Sequence, residues 1–286
     1  MLSNKVSEIM TTNLTAAPVM ASIFDVIQLM VGEDVGRVMI TDADVPVGIF
    51  TEKDVLKRVV SAGLDPNKAK IQKVMTSPVR AVAEETHIVD AFARMYRGKY
   101  RHLLVRGRRG KIIGIVSMRR ILNLAVELGQ GGSETRTVSD IVAAAPVLVD
   151  ESTSIQETVG LMSKRGLTAV IVTKDGAPVG IFTERDLLKR VAAPGIDVKA
   201  TPIKLVMTVP IIQMARSALV AEVLAEMYRR DIRNMPISGA GGELVGLLSM
   251  PEILQYASAF NIDEQVRRTW KEVAEFMDSD DQYTPG

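Results

Sequence analysis

The stretch GIFTEKDVLKRV at 48–59 returns as GIFTERDLLKRV at 180–191, with ten of twelve positions identical at a distance of 132 residues. A match of that length makes repetition the first constraint on the fold. The glycine in it recurs at Gly48, Gly114, Gly180 and Gly246, each 66 residues after the last, so four copies of one unit fill most of the chain. Whatever this chain folds into must be a small unit used four times.

Each copy opens with a short apolar, helix-like piece: VSEIM at 6–10, IQKVM at 71–75, VSDIV at 138–142 and IKLVM at 203–207. A short extended stretch and an amphipathic helix follow, with apolar residues spaced i, i+3, i+4 and i+7, as in Ile23, Val26, Ile27, Met30 and in Val220, Val223, Leu224, Met227. Two strands come next, RVMI and VGIF in the first copy around the turn-rich TDADVP, HLLV and IIGIV in the second around RGRRGK. A second helix closes the unit, starting just after Thr51, Ser117, Thr183 or Ser249.

The copies also pair. Repeat one matches repeat three without gaps, and repeat two matches repeat four, where Met95-Tyr96-Arg97 lines up with Met227-Tyr228-Arg229. The period is therefore a doublet. The organisation expected is a first module at 1–128 with repeats at 6–60 and 71–126, a linker at 129–137, and a second module at 138–257 with repeats at 138–192 and 203–257. GQGGSET at 129–135 reads as flexible, so the two modules are expected to fold separately. Residues 258–286 read as an amphipathic helix carrying Val266, Trp270, Val273 and Met277, then an acidic tail.

Composition narrows the function by exclusion. The chain has no cysteine, which removes disulfides, thiolate nucleophiles and Cys-ligated metal, and fits a reducing, cytoplasmic setting. Two histidines leave no His-rich metal site, and no metal is expected. With 35 Lys+Arg against 34 Asp+Glu there is no global attraction to nucleic acid or membrane, and no apolar run approaches the ~20 residues of a spanning helix. There is no GxxxxGK[ST] loop, no HExxH and no region outside the repeats large enough for a catalytic domain, so the chain does not read as an enzyme.

The order helix, strand, helix, strand, strand, helix, with G-I-F-T-E-[KR]-D at the last strand-to-helix junction and YRHLLV or IRNMPI on the preceding strand, resembles the cystathionine-β-synthase (CBS) domain. The resemblance runs from about Val6 to Ala257. It implies an α/β (α+β) fold of four tandem CBS motifs, paired into two Bateman modules with pseudo-two-fold symmetry. It also implies clefts that bind adenosine-containing ligands, and hence sensing rather than catalysis, with no cofactor required and AMP, ADP or ATP as regulatory ligand.

Site residues are carried over position by position. Thr51 with Asp54, and Thr183 with Asp186, match the residues that hold ribose; read physically, each pair is also a capping box, and the two roles are compatible. The aligned positions in the even repeats are Arg120 and Glu252, so one strong nucleoside site per doublet is expected, on the odd repeat. The phosphate end is expected from the even repeats, through Arg101, His102, Arg119 and Arg120 in the first doublet and Arg233 and Asn234 in the second. Val79, Arg80, Ile211 and Ile212 match the adenine wall.

From Arg94 to Arg120 there are ten Lys or Arg and no acid, whereas the aligned window Glu226 to Glu252 has three Lys or Arg and four acids. A solvated face would account for this; so would a first doublet that prefers more phosphates. The leading reading is a nucleotide sensor that regulates a partner protein, as a monomeric four-motif disk or a homodimer. The alternative is a nucleic-acid-binding or scaffolding protein that uses the basic 94–120 surface.

Overall fold

The computed structural model describes residues 4–98, 100–121, 124, 137–141, 145–249 and 252–253. The glycine-rich segment and the expected C-terminal helix lie outside the described residues. Four three-stranded sheets carry the fold: β1 (Ala16–Pro18), β2 (Arg37–Asp42) and β3 (Val45–Thr51); β4 (Ala81–Ala83), β5 (His102–Arg106) and β6 (Ile112–Ser117); β7 (Leu148–Asp150), β8 (Ala169–Lys174) and β9 (Ala177–Thr183); β10 (Met214–Ala215), β11 (Asn234–Ser238) and β12 (Leu244–Ser249).

Every sheet has the same wiring, and local chemistry accounts for it. The first two strands are parallel because a helix connects them, as in Ile23–Gly32 between β1 and β2. That helix starts where Ser22 Oγ accepts from Asp25 N–H at 3.0 Å and buries Ile23, Val26, Ile27 and Met30. The second and third strands form a hairpin over two residues, Ala43 and Asp44, both at positive φ (46° and 65°), the conformation that matches strand twist in a two-residue loop. Repeat three solves the same turn with Asp175 and Gly176.

The opening segments are exchanged within each pair of repeats. The first helix, Val6–Ile9, packs on repeat two, where Thr11 bridges Ile115; residues 71–76 return the exchange, with Thr76 bridging Ile49. In the second pair Thr137 bridges Leu219 on repeat four, and Thr208 bridges Ile181 on repeat three. The recurring glycine is the seat for this exchange. A Cβ on Gly48, Gly114 or Gly180 would strike the side chain of Met75, Met10 or Met207 from the visiting segment.

Packing then crosses between the two pairs. Repeats two and four share one apolar cluster, in which Met95 and Val105 join Met227 and Ile237. Repeats one and three trade side chains: Leu56 is buried in the core of repeat three, and Leu188 in that of repeat one. Leu56 and Leu188 sit on the helices that follow the GIFTE[KR]D junctions, where Val55–Val60 and Leu187–Ala192 are wound as π-helix. Separate folding, expected from the linker, therefore stands against cores that run through both modules.

Candidate functional site

The strand-to-helix junctions of repeats one and three are built alike. Asp54 Oδ2 accepts from the Thr51 N–H (2.9 Å) and hydroxyl (2.7 Å), and Asp186 Oδ2 accepts from Thr183 at the same distances. The other carboxylate oxygens take the hydroxyls of Thr76 (3.5 Å) and Thr208 (2.7 Å), delivered by the exchanged segments. Arg58 and Arg190, one turn on, lie 3.4 Å and 3.6 Å from the same oxygens and also bond the carbonyls of Met75 and Met207. The capping box is thus physically present at both acids, and it already engages three of the roughly four acceptor positions of a carboxylate. Burial outweighs these bonds at Asp54 and holds its carboxyl above the ordinary range.

Each junction opens on a cleft, of about 380 Å³ at Asp54 and about 160 Å³ at Asp186. Cleft one gathers cations. Arg37, Arg101, His102, Arg119 and Lys53 line it, and Arg233 reaches in from repeat four. Arg37 Nη1 lies 3.5 Å from His102 Nε2, and among the described residues Arg37 has no carboxylate partner. Desolvation, with Arg233 nearby, lowers its pKa to about 10. Desolvation also holds His102 well below the usual imidazole range, helped by Arg37 and Arg101, so its ring is neutral.

Cleft two places Arg233, Asn234, Ile212 and Thr208 around Asp186, with Arg101 reaching in from repeat two. Apart from Arg101, the arginines of its lining are already paired. Arg233 forms an ion pair with the buried Glu52 of repeat one, and Arg185 pairs with Asp231 and, at 3.3 Å, with Asp34. Asn234 accepts the Thr168 hydroxyl at 2.6 Å.

The expected residues therefore divide. Thr51, Asp54, Arg101, His102 and Arg119 come together in cleft one, and Thr183, Asp186, Arg233, Asn234 and Ile212 in cleft two. Arg119 is committed across the modules to Asp231 at 2.5 Å. Arg120 lies outside both linings, its N–H bonded to Ser117 Oγ at 3.2 Å, because the first turn of its helix points it away. Val79, Arg80 and Ile211 are also outside the linings; Arg80 stacks 4.9 Å from the ring centre of Tyr100, which does line cleft one. The basic run does not form one surface. Arg101 immediately precedes β5 and Arg106 ends it, so Arg106 to Lys111 occupy the far hairpin, where Arg108 bonds Glu84 and Glu85.

Sequence reasoning missed Arg37, Lys53, Glu52, Glu184, Thr76 and Thr208. The threonines carried a signal, the doubled M-T-x-P of Met75 to Pro78 and Met207 to Pro210.

Among the described residues, no helix is long and apolar enough to cross a membrane. The chain is 26% identical to the meiotically up-regulated gene 70 protein of Schizosaccharomyces pombe, over 88% of this chain and 42% of that protein. It is 25% identical to CBS domain-containing protein CBSCBSPB1 of Arabidopsis thaliana, over 85% and 51% respectively. It thus spans about half the length of these curated relatives. Among solved structures, a Methanocaldococcus jannaschii protein proposed to be an archaeal homologue of g-AMPK superposes with a TM-score of 0.74 at 14% identity, over 88% of this chain and 99% of that one. The CBS domain model matches at 6–61, 71–127, 138–193 and 203–259, and the chain belongs to the CBS domain family, with four domains in tandem.

Proposed function

We propose that this protein is a regulatory module that binds adenosine nucleotides in its two clefts and passes their occupancy to a partner protein. Its chemistry is recognition rather than bond-making. The observation that carries the reading is the build of cleft one, where an acid with an acceptor position left for a ribose hydroxyl faces Arg37, which has no carboxylate partner among the described residues, and Arg101, which makes no direct ion pair. Unmatched, partly desolvated charge is costly to hold in an empty cleft, and a phosphate would relieve it. Thr51, Asp54, Thr183 and Asp186 are the proposed ribose residues.

Cleft one, with Arg37, Arg101 and neutral His102, is assigned to ligands with more phosphates, and cleft two to ligands with fewer. Titration of AMP, ADP and ATP into the purified chain tests this. Affinity should rise with each phosphate at one site and stay flat at the other; failure of all three to bind would sink the nucleotide reading. Capture of nucleic acid that nucleotides do not displace, falling steeply with salt, would instead favour the scaffold reading.

A further inference from the structure

Three pairs of aligned positions meet between the clefts: Gly36 and Thr168, Glu52 and Glu184, Arg233 and Arg101. On one side the set is closed. Arg233 of repeat four pairs with Glu52 of repeat one, and there is room because residue 36 has no side chain: a Cβ there would stand 2.7 Å from Arg233 Nη2 and 3.1 Å from Glu52 Cδ. On the other side residue 168 is a threonine, whose hydroxyl donates to Asn234. Among the described residues neither Arg101 nor Glu184 makes a direct ion pair, although the two attract each other at longer range. One missing side chain thus decides which of two equivalent arginines is taken.

We propose that Glu52 is a specificity residue for cleft two, an anion built into the protein that reaches across from the other pair of repeats and occupies the guanidinium a phosphate would need. Cleft two then selects adenosine compounds with few or no phosphates, while Thr168 keeps Arg101 open. The rest of that cleft agrees. Its Arg185 is held by Asp231 and Asp34, and Asn234 is neutral. A phosphate entering beside Arg233 would meet carboxylates at Glu52, Glu184 and Asp231, and the remaining arginine of the lining, Arg101, lies in the field of Glu184. This assignment rests on the nucleotide reading of the clefts and adds the determinant that separates them.

The test uses the full chain and two variants that open the pair by different means. Glu52→Gln removes the charge, and Gly36→Ala displaces the guanidinium sterically; residue 36 is not among the positive-φ glycines, so alanine fits its backbone. Adenosine and AMP are titrated into wild type and both variants, with cleft two identified as the site that Asp186→Ala weakens and folding checked by circular dichroism. Each variant should raise the preference for AMP over adenosine at that site about tenfold, the effect of freeing one charged donor. If one variant fails to fold, the other decides. An unchanged preference, or a change confined to the site that Asp54→Ala weakens, overturns the proposal. Should wild type bind neither compound, the nucleotide reading fails, and tripolyphosphate titration decides the rest: a gain of similar size in both variants sustains the Glu52 assignment, and no gain ends it.

Discussion

In cleft one Asp54 is faced by Arg37, Arg101 and His102; in cleft two Asp186 is faced by Arg233 and Asn234, with Arg233 already paired and Ala169, aligned with Arg37, buried outside the lining. The skeletons match down to single hydrogen bonds from Thr51 and Thr183. The clefts therefore differ in free charge, not in shape of the backbone, and free charge depends on which neighbours the fold brings in as much as on the residues themselves. Two arginines at equivalent positions become unlike because a glycine and a threonine sit beside them.

The largest effects should come from the shared core. Leu188→Ala and Leu56→Ala each empty a buried site in the other module's repeat and should cost about 2–5 kcal/mol, as Leu-to-Ala cavities do. Denaturant melts should shift as one transition; two separate transitions would mean the clefts are independent units and the comparison between them merely local.

Ligand contacts come next. Asp54→Ala should weaken nucleosides at cleft one, and Asp186→Ala at cleft two, by about 10- to 150-fold, the equivalent of roughly 1.5–3 kcal/mol. Calorimetry that finds both silent while melting temperature falls would reduce them to helix caps. Arg37→Ala should reduce ATP affinity at cleft one about tenfold and leave adenosine nearly unchanged, and Ala169→Arg should move cleft two the other way. Equal losses for ATP and adenosine would make Arg37 a packing residue.

The smallest effect is a pH slope. The pKa of His102 is depressed in the folded chain, so the stability it contributes is full above the unfolded imidazole value of about 6.5 and declines as pH falls below it. The unfolded chain takes up a proton there that the folded one refuses. Stability should fall by at most about 1.4 kcal/mol per pH unit below that point, and His102→Asn, which copies the residue at 234, should flatten the slope. Added ATP should reduce it too, since phosphate favours the imidazolium.

Much of this was legible in the repeats. Period and strand order follow from local chemistry that the sequence displays four times, and the Thr-Asp caps from a pattern it displays twice. The rest required contacts between distant segments. Arg37 has no counterpart in repeat three, where Ala169 stands at the aligned position, so the repeat pattern carries no signal for it. Glu52 and Glu184 are identical in both copies of GIFTE[KR]D, yet only Glu52 makes a direct ion pair among the described residues, and the difference we propose to arise from positions 36 and 168 is not visible in the motif itself. Arg119 and Arg120 are adjacent, and helix geometry alone sends one to the cleft and the other away.

In three of the four repeats the visiting segment seats a methionine on its partner's glycine. A lone 66-residue copy would carry a plug with no socket and a socket with no plug. Such a fragment completes itself only by meeting another, so the smallest self-sufficient piece of this architecture is two copies.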